Sequence, residues 1–284
     1  MTASHRIGAR RQAWDAELSP STRARDARGT LARYRTRSLA ALRELRHRAN
    51  VPYGPHPAER LHHFPPHQPG APLVVFVHGG HWQESSKDDA CFAAPALLAA
   101  GAGYVALGYG LAPARRLPEM TASVYRGLRW VRENAARLGG RADAVYAAGS
   151  SAGAHLVAMA TADRDGVPLA GTVLLSGLYD LLPVVDSYVN DALGLDAATA
   201  RQLSPLYRRA PRAGHVLLAR GQHETDEYAR QQDRFASALL ARGHPARVLV
   251  AEDRDHFDLP LDLGDPATVL GRTVLDLLAH GPGR

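Results

Sequence analysis

The chain has 284 residues, 45% of them hydrophobic, which is enough to bury the core of one α/β domain. Its formal charge of +6 is concentrated at the front, where residues 1–50 carry twelve arginines against four acids and leave the remainder close to neutral. Without aromatic–basic interleaving or an apolar run long enough to span a bilayer, this pattern argues against nucleic acid and membrane as partners.

Residues 1–50 therefore read as a basic, partly helical, solvated arm, and 51–284 as the folded domain. Arg10-Arg11 is followed by a polar stretch, so no export signal is expected. Cys91 is the sole cysteine, which rules out an internal disulfide and fits a cytoplasmic location. Pro52 to Pro72, rich in proline and histidine, reads as connection.

From there strands and helices alternate. Leu73 to Val77 is an uninterrupted β-prone run ending in glycines, and Tyr104 to Leu107 is the next strand. Glu119 to Leu138 has helical spacing through Val124, Leu128 and Val131 and stops at Gly139-Gly140. Ala144 to Ala148 predicts a strand, and Ala152 to Thr161 a helix. Thr172 to Leu175, His215 to Ala219 and Val248 to Ala251 predict further strands. Tyr228 to Leu240 and Ala267 to Leu278 predict helices, while Leu178 to Ala213, interrupted by prolines, predicts a short cap-like excursion over the strand ends. Repeated βα units imply an α/β fold with a mostly parallel sheet covered on both faces.

The chemistry falls where predicted strands end. Gly149-Ser150-Ser151-Ala152-Gly153 joins a strand to a helix in the pattern of a nucleophile elbow, with Ser151 as nucleophile. A serine hydroxyl needs a base and a group to orient that base. His256, after the last strand, is the candidate base. Glu224 is preferred over Asp226 as the acid because it follows its strand sooner, while Thr225-Asp226 reads as the cap of the next helix. His78-Gly79-Gly80-His81-Trp82 ends the first strand, and the N–H groups of Gly79, Gly80 and Ala152 are the candidate oxyanion donors. A zinc site using His78 and His81 with His62, His63 and His67 is a weaker alternative, since no H-E-x-x-H or cysteine set accompanies them. No metal or cofactor is expected.

The residues from Val51 onward resemble the kynurenine formamidase (arylformamidase) family of the α/β-hydrolase superfamily. The resemblance rests on His78-Gly-Gly-His-Trp82, Tyr109-Gly-Leu-Ala-Pro113, Ser176-Gly-Leu-Tyr-Asp-Leu181, Ser187-Tyr-Val-Asn-Asp-Ala-Leu193, and Gly221 to Tyr228 with Gln231. The chain departs from the family at three positions: His81 where tyrosine is frequent, Ser150 where histidine is, and Glu224 where aspartate is. The resemblance implies an α/β-hydrolase fold and hydrolysis of a small aryl formamide, N-formyl-L-kynurenine, to L-kynurenine and formate. Trp82 and Tyr188 are candidates to flank the substrate ring. A broad carboxylesterase is the rival reading, and a non-enzymatic binding module is disfavoured by the intact set of catalytic residue types. The assembly is left open, a homodimer being one option.

Overall fold

The computed structural model describes residues 3–244 and 246–280. In chain order it runs α1 (Ala3–Glu17), α2 (Ala27–Glu44), β1 (Arg48–Pro52), β2 (Arg60–Phe64), β3 (Ala71–Val77), α3 (Ala94–Ala99), β4 (Gly103–Leu107), α4 (Leu117–Glu133) and β5 (Gly140–Ser150). Then come α5 (Ala152–Thr161), β6 (Leu169–Leu175), α6 (Leu182–Val185), α7 (Asn190–Leu193), α8 (Ala197–Gln202), β7 (Ala213–His223), α9 (Asp226–Ala241), β8 (Arg247–Asp255) and α10 (Val269–His280).

The strands form one 8-stranded sheet in the order β1-β2-β4-β3-β5-β6-β7-β8. β4 through β8 pair in parallel, whereas β2 joins β4 antiparallel and β1 joins β2 likewise. Both faces of β3 are apolar because helices cover both. Leu73, Val75 and Val77 enter one core with Val124 and Leu128 of α4, Leu156 of α5 and Phe235 of α9. Val74 and Phe76 enter the other with Leu97 of α3 and Leu270 and Val274 of α10. This two-sided burial explains why the strand reads as a continuous hydrophobic run. In α4, Leu117, Met120, Val124, Leu128 and Val131 fall at helical spacing on one buried stripe. Glu119 closes its first turn by accepting the Arg116 N–H at 2.8 Å.

Two expectations need correction. The stretch from Pro52 to Pro72 holds the buried strand β2, in register with β4 from Leu61↔Leu107 to Phe64↔Tyr104. Its histidines are compatible with burial because each finds a partner: His62 Nε2 meets Asp88 Oδ1 at 2.5 Å, and His63 Nε2 donates to the Leu138 carbonyl at 3.0 Å. Nor are residues 1–50 a solvated arm. Leu18 is wholly buried, Tyr34 stacks on Phe92 at 4.6 Å, and Ser38 Oγ accepts the Cys91 N–H at 2.9 Å. Apolar side chains spaced among the arginines dock α2 on the body, and the boundary at residue 50 falls inside β1.

Segment 178–213 carries α6, α7 and α8 as short turns between β6 and β7. Asn190 shapes it: its Oδ1 accepts the Leu195 N–H at 2.7 Å, and its Nδ2 donates to the carbonyls of Val185 and Leu195. Among the described residues no helix is long and apolar enough to cross a membrane.

Candidate active site

Ser151, Ser176, Glu224 and His256 each follow directly on the carboxyl end of a strand, β5, β6, β7 and β8 respectively, at the edge where α/β sheets place ligands. Ser151 sits at φ 55°, ψ −118°, a strained backbone held by an N–H bond to the Leu175 carbonyl at 2.8 Å. The flanking glycines are dictated by contact. A Cβ on Gly149 would lie 2.5 Å from the Gly153 carbonyl carbon, and one on Gly153 would lie 2.0 Å from the Val77 carbonyl oxygen. Only glycine lets β5, α5 and β3 meet this closely around the serine.

The candidate acid and base are brought together. His256 Nδ1 stands 3.0 Å from Glu224 Oε2, with both side chains buried. Glu224 Oε1 accepts two further bonds, from Ser176 Oγ at 2.6 Å and from the Gly221 N–H at 2.7 Å. Three donors around one buried carboxylate fix its orientation. Bonding through Nδ1 turns Nε2 of His256 to the opposite side of the ring. Asp226, by contrast, is exposed as the first residue of α9.

On the β3 side, Gly79 lies against the serine: a Cβ there would come within 3.2 Å of Ser151 Cβ. Gly80, His81 and Trp82 all have positive φ, at 101°, 47° and 62°, so the loop doubles back and Gly80 O receives the N–H groups of Gln83 and Glu84. Ala152 opens α5, where first-turn N–H groups are free of intrahelical partners. Gly79, Gly80 and Ala152 thus bring main chain to the surroundings of Ser151 from two directions.

The loop rests on buried aromatic groups. His78 stacks on Tyr109 at 4.4 Å and bonds the Gly79 carbonyl through Nδ1 at 2.9 Å; burial pushes its pKa down to about 4 and keeps it neutral. Trp82 was a candidate to touch substrate, but it is wholly buried. Its Nε1 donates to His155 Nδ1 at 3.3 Å, and His155 Nε2 donates to the Leu203 carbonyl at 2.8 Å. Those two bonds define one neutral tautomer of His155, whose pKa burial lowers to about 4. Trp82 therefore ties the loop to α5 and to segment 178–213. Tyr188 is at the rim, 39% exposed, with its ring edge-on to His81 at 6.2 Å.

Sequence reasoning quoted Tyr228 without giving it a role. Its hydroxyl lies 3.3 Å from His81 Nε2, and its ring meets that of His256 at 4.6 Å. Burial raises the phenol pKa far above its ordinary value and lowers that of His81 to about 4, so both stay neutral. Gln231, one turn along α9, accepts the N–H groups of Tyr179 and Asp180 and donates to the Asp180 carbonyl, locking the loop after Ser176. The histidines considered for zinc are dispersed: His62 and His63 serve β2, and His78 serves the glycine loop.

An eight-stranded sheet of this order, with a strained serine between β5 and α5 and a Glu–His pair at the ends of β7 and β8, defines an α/β-hydrolase. The chain belongs to the kynurenine formamidase family of that class. It is 32% identical over 241 residues to "Kynurenine formamidase" of Danio rerio, covering 81% of each chain. It is 28% identical over 262 residues to "Esterase LipQ" of Mycobacterium tuberculosis, covering 81% of this chain and 61% of that one. The family described as BD-FAE matches residues 63–178. A crystal structure from Silicibacter sp. superposes with a TM-score of 0.82 at 25% identity, covering 92% of this chain and 98% of that one. The protein is thus a hydrolase of the α/β-hydrolase superfamily.

Proposed function

We propose that the protein is a serine hydrolase that cleaves the formamide of N-formyl-L-kynurenine, giving L-kynurenine and formate in tryptophan degradation in the cytoplasm. The observation that carries the serine chemistry is the bond from His256 Nδ1 to the triply bonded carboxylate of Glu224, beside the strained Ser151. The substrate assignment is supported by the Danio rerio relative.

In this reading Ser151 Oγ attacks the formyl carbon while its proton passes to His256 Nε2, and Glu224 stabilises the imidazolium that forms. The carbonyl oxygen becomes an oxyanion held by the N–H groups of Gly79, Gly80 and Ala152. Collapse breaks the C–N bond, and the departing arylamine takes the proton from His256. Water then gives a proton to His256 and attacks the formyl ester. Oγ leaves with that proton, and formate is released. The reaction needs no redox partner, because hydrolysis changes no oxidation state: the proton of Ser151 leaves on the arylamine, a proton of water replaces it, and the formic acid formed loses its own proton to solvent.

Tyr228 and His81 present paired polar groups beside the ring of His256, and Tyr188 offers an aromatic edge at the rim to the kynurenine part. Incubation with N-formyl-L-kynurenine should release formate and L-kynurenine in equal amounts, and Ser151→Ala should abolish the release. Formate release by Ser151→Ala at the wild-type rate would remove the serine from the mechanism. A carboxylesterase of broad specificity is the second reading, favoured by the LipQ esterase relative.

A further inference from the structure

The N-terminal segment touches both loops that carry the acid and the base. Thr225 is the N-cap position of α9, yet its side chain makes no capping bond to its own helix. Its Oγ1 donates instead to the Glu17 carbonyl at 2.6 Å, and the carboxylate of Glu17, Oε2, accepts the Glu227 N–H at 2.9 Å. Glu17 therefore caps α9 from a different part of the chain, supplying the acceptor and the negative charge that a helix start favours.

The capped turn has a particular address. Glu224, which bonds His256, is three residues before the capped amide, and Tyr228, whose ring packs on that of His256, is one residue after it. The same segment also holds the base loop. Arg25 N donates to Asp255 Oδ2 at 3.0 Å, while Asp255 Oδ1 accepts the N–H groups of Phe257 and Asp258, and the Tyr34 hydroxyl donates to the Phe257 carbonyl at 2.5 Å. Asp15 and Leu18 bond Tyr188 at the rim. Leu18 anchors the whole segment by complete burial in the core.

We propose that Glu17 is a positioning residue of the active site: by capping α9 from the N-terminal segment it holds Glu224 and Tyr228 in the geometry that His256 and Ser151 require. The inference rests on the Ser151, Glu224 and His256 assignment above and on no particular substrate.

The test uses the full-length enzyme with Glu17→Ala, Glu17→Gln and Thr225→Val, and reads the rate of Ser151 labelling by a fluorophosphonate, its pH profile and the Tm. Misplacement of catalytic groups by a fraction of an ångström to an ångström costs about tenfold to a hundredfold in rate. Glu17→Ala should slow labelling by about that factor and alter its pH profile, because the Glu224–His256 pair is displaced. Glu17→Gln should recover most of the rate, since its amide oxygen still accepts the Glu227 N–H. Thr225→Val should lie between wild type and Glu17→Ala, and carries the test if Glu17→Ala does not fold. A Glu17→Ala or Thr225→Val enzyme with wild-type labelling rate and pH profile but a lowered Tm would reduce the contact to ordinary stabilisation and overturn the proposal. Wild-type protein that labels at Ser151 yet ignores N-formyl-L-kynurenine would sink the substrate reading alone; failure of Ser151 to label would remove both.

Discussion

Ser176 donates its hydroxyl to Glu224 Oε1 at 2.6 Å, so the carboxylate that meets His256 is itself held from behind. Glu224→Gln should lower turnover strongly with the fold intact, because an amide holds the ring but does not stabilise the imidazolium. Ser176→Ala removes one of three donors and should cost less. Asp226→Asn, at an exposed position, should be mild. Steady-state kinetics on the three variants checks the order, and a larger loss at Asp226 than at Glu224 would contradict the assignment.

Ser151 and His256 should act as a unit. Each alanine substitution should lower kcat by several orders of magnitude, and the double substitution should cost little more than either alone. Multiplicative losses in the double variant would mean that the two side chains act in separate steps.

Trp82 links the glycine loop to α5 through His155. Trp82→Phe keeps the ring but leaves His155 Nδ1 buried without its donor, a loss of about 1–3 kcal/mol. Urea denaturation should register this, with KM changed little. A raised KM at unchanged stability would instead place the indole against substrate.

His63, His78 and His155 are buried and held neutral, with burial pushing each pKa down to about 4. In the unfolded chain the same groups titrate near about 6.5. Below that pH the unfolded state binds protons that the folded state refuses. Their contribution to stability is therefore complete above about pH 6.5 and is lost as pH falls toward about 4, by about 3 kcal/mol for one such group. Urea midpoints between pH 7.5 and 4 should fall accordingly. His63→Gln, whose amide can still donate to the Leu138 carbonyl, should flatten the fall. Identical slopes in wild type and His63→Gln would contradict the account.

Much of the fold was legible because buried parallel strands and amphipathic helices leave strong local patterns. Val74 to Val77 and the α4 stripe are apolar in the order that the sheet and helix bury them. Ser151 could be placed because a strand, two glycines and a helix coincide in one short stretch. β2 was hidden because two of its five residues are histidines whose partners, Asp88 and Leu138, lie far along the chain. Trp82 looked like a ring for substrate because its sequence neighbours are functional; only three-dimensional packing sends it inward. Glu17 carries no local signal at all. Its partner, the Glu227 amide, is 210 positions away, and nothing in the pattern of α1 marks that residue as the cap of another helix.

The central claim is substrate specificity, and the comparison of kcat/KM for N-formyl-L-kynurenine with the p-nitrophenyl acyl ester series tests it most directly. A formyl group needs almost no acyl pocket, so the account predicts that N-formyl-L-kynurenine exceeds p-nitrophenyl acetate despite the ester's better leaving group. Each added methylene on the acyl side should lower kcat/KM, by roughly tenfold to two-hundredfold where it must be forced into a filled site. Ready hydrolysis of butyryl esters with N-formyl-L-kynurenine left intact would contradict the account and make the protein an esterase.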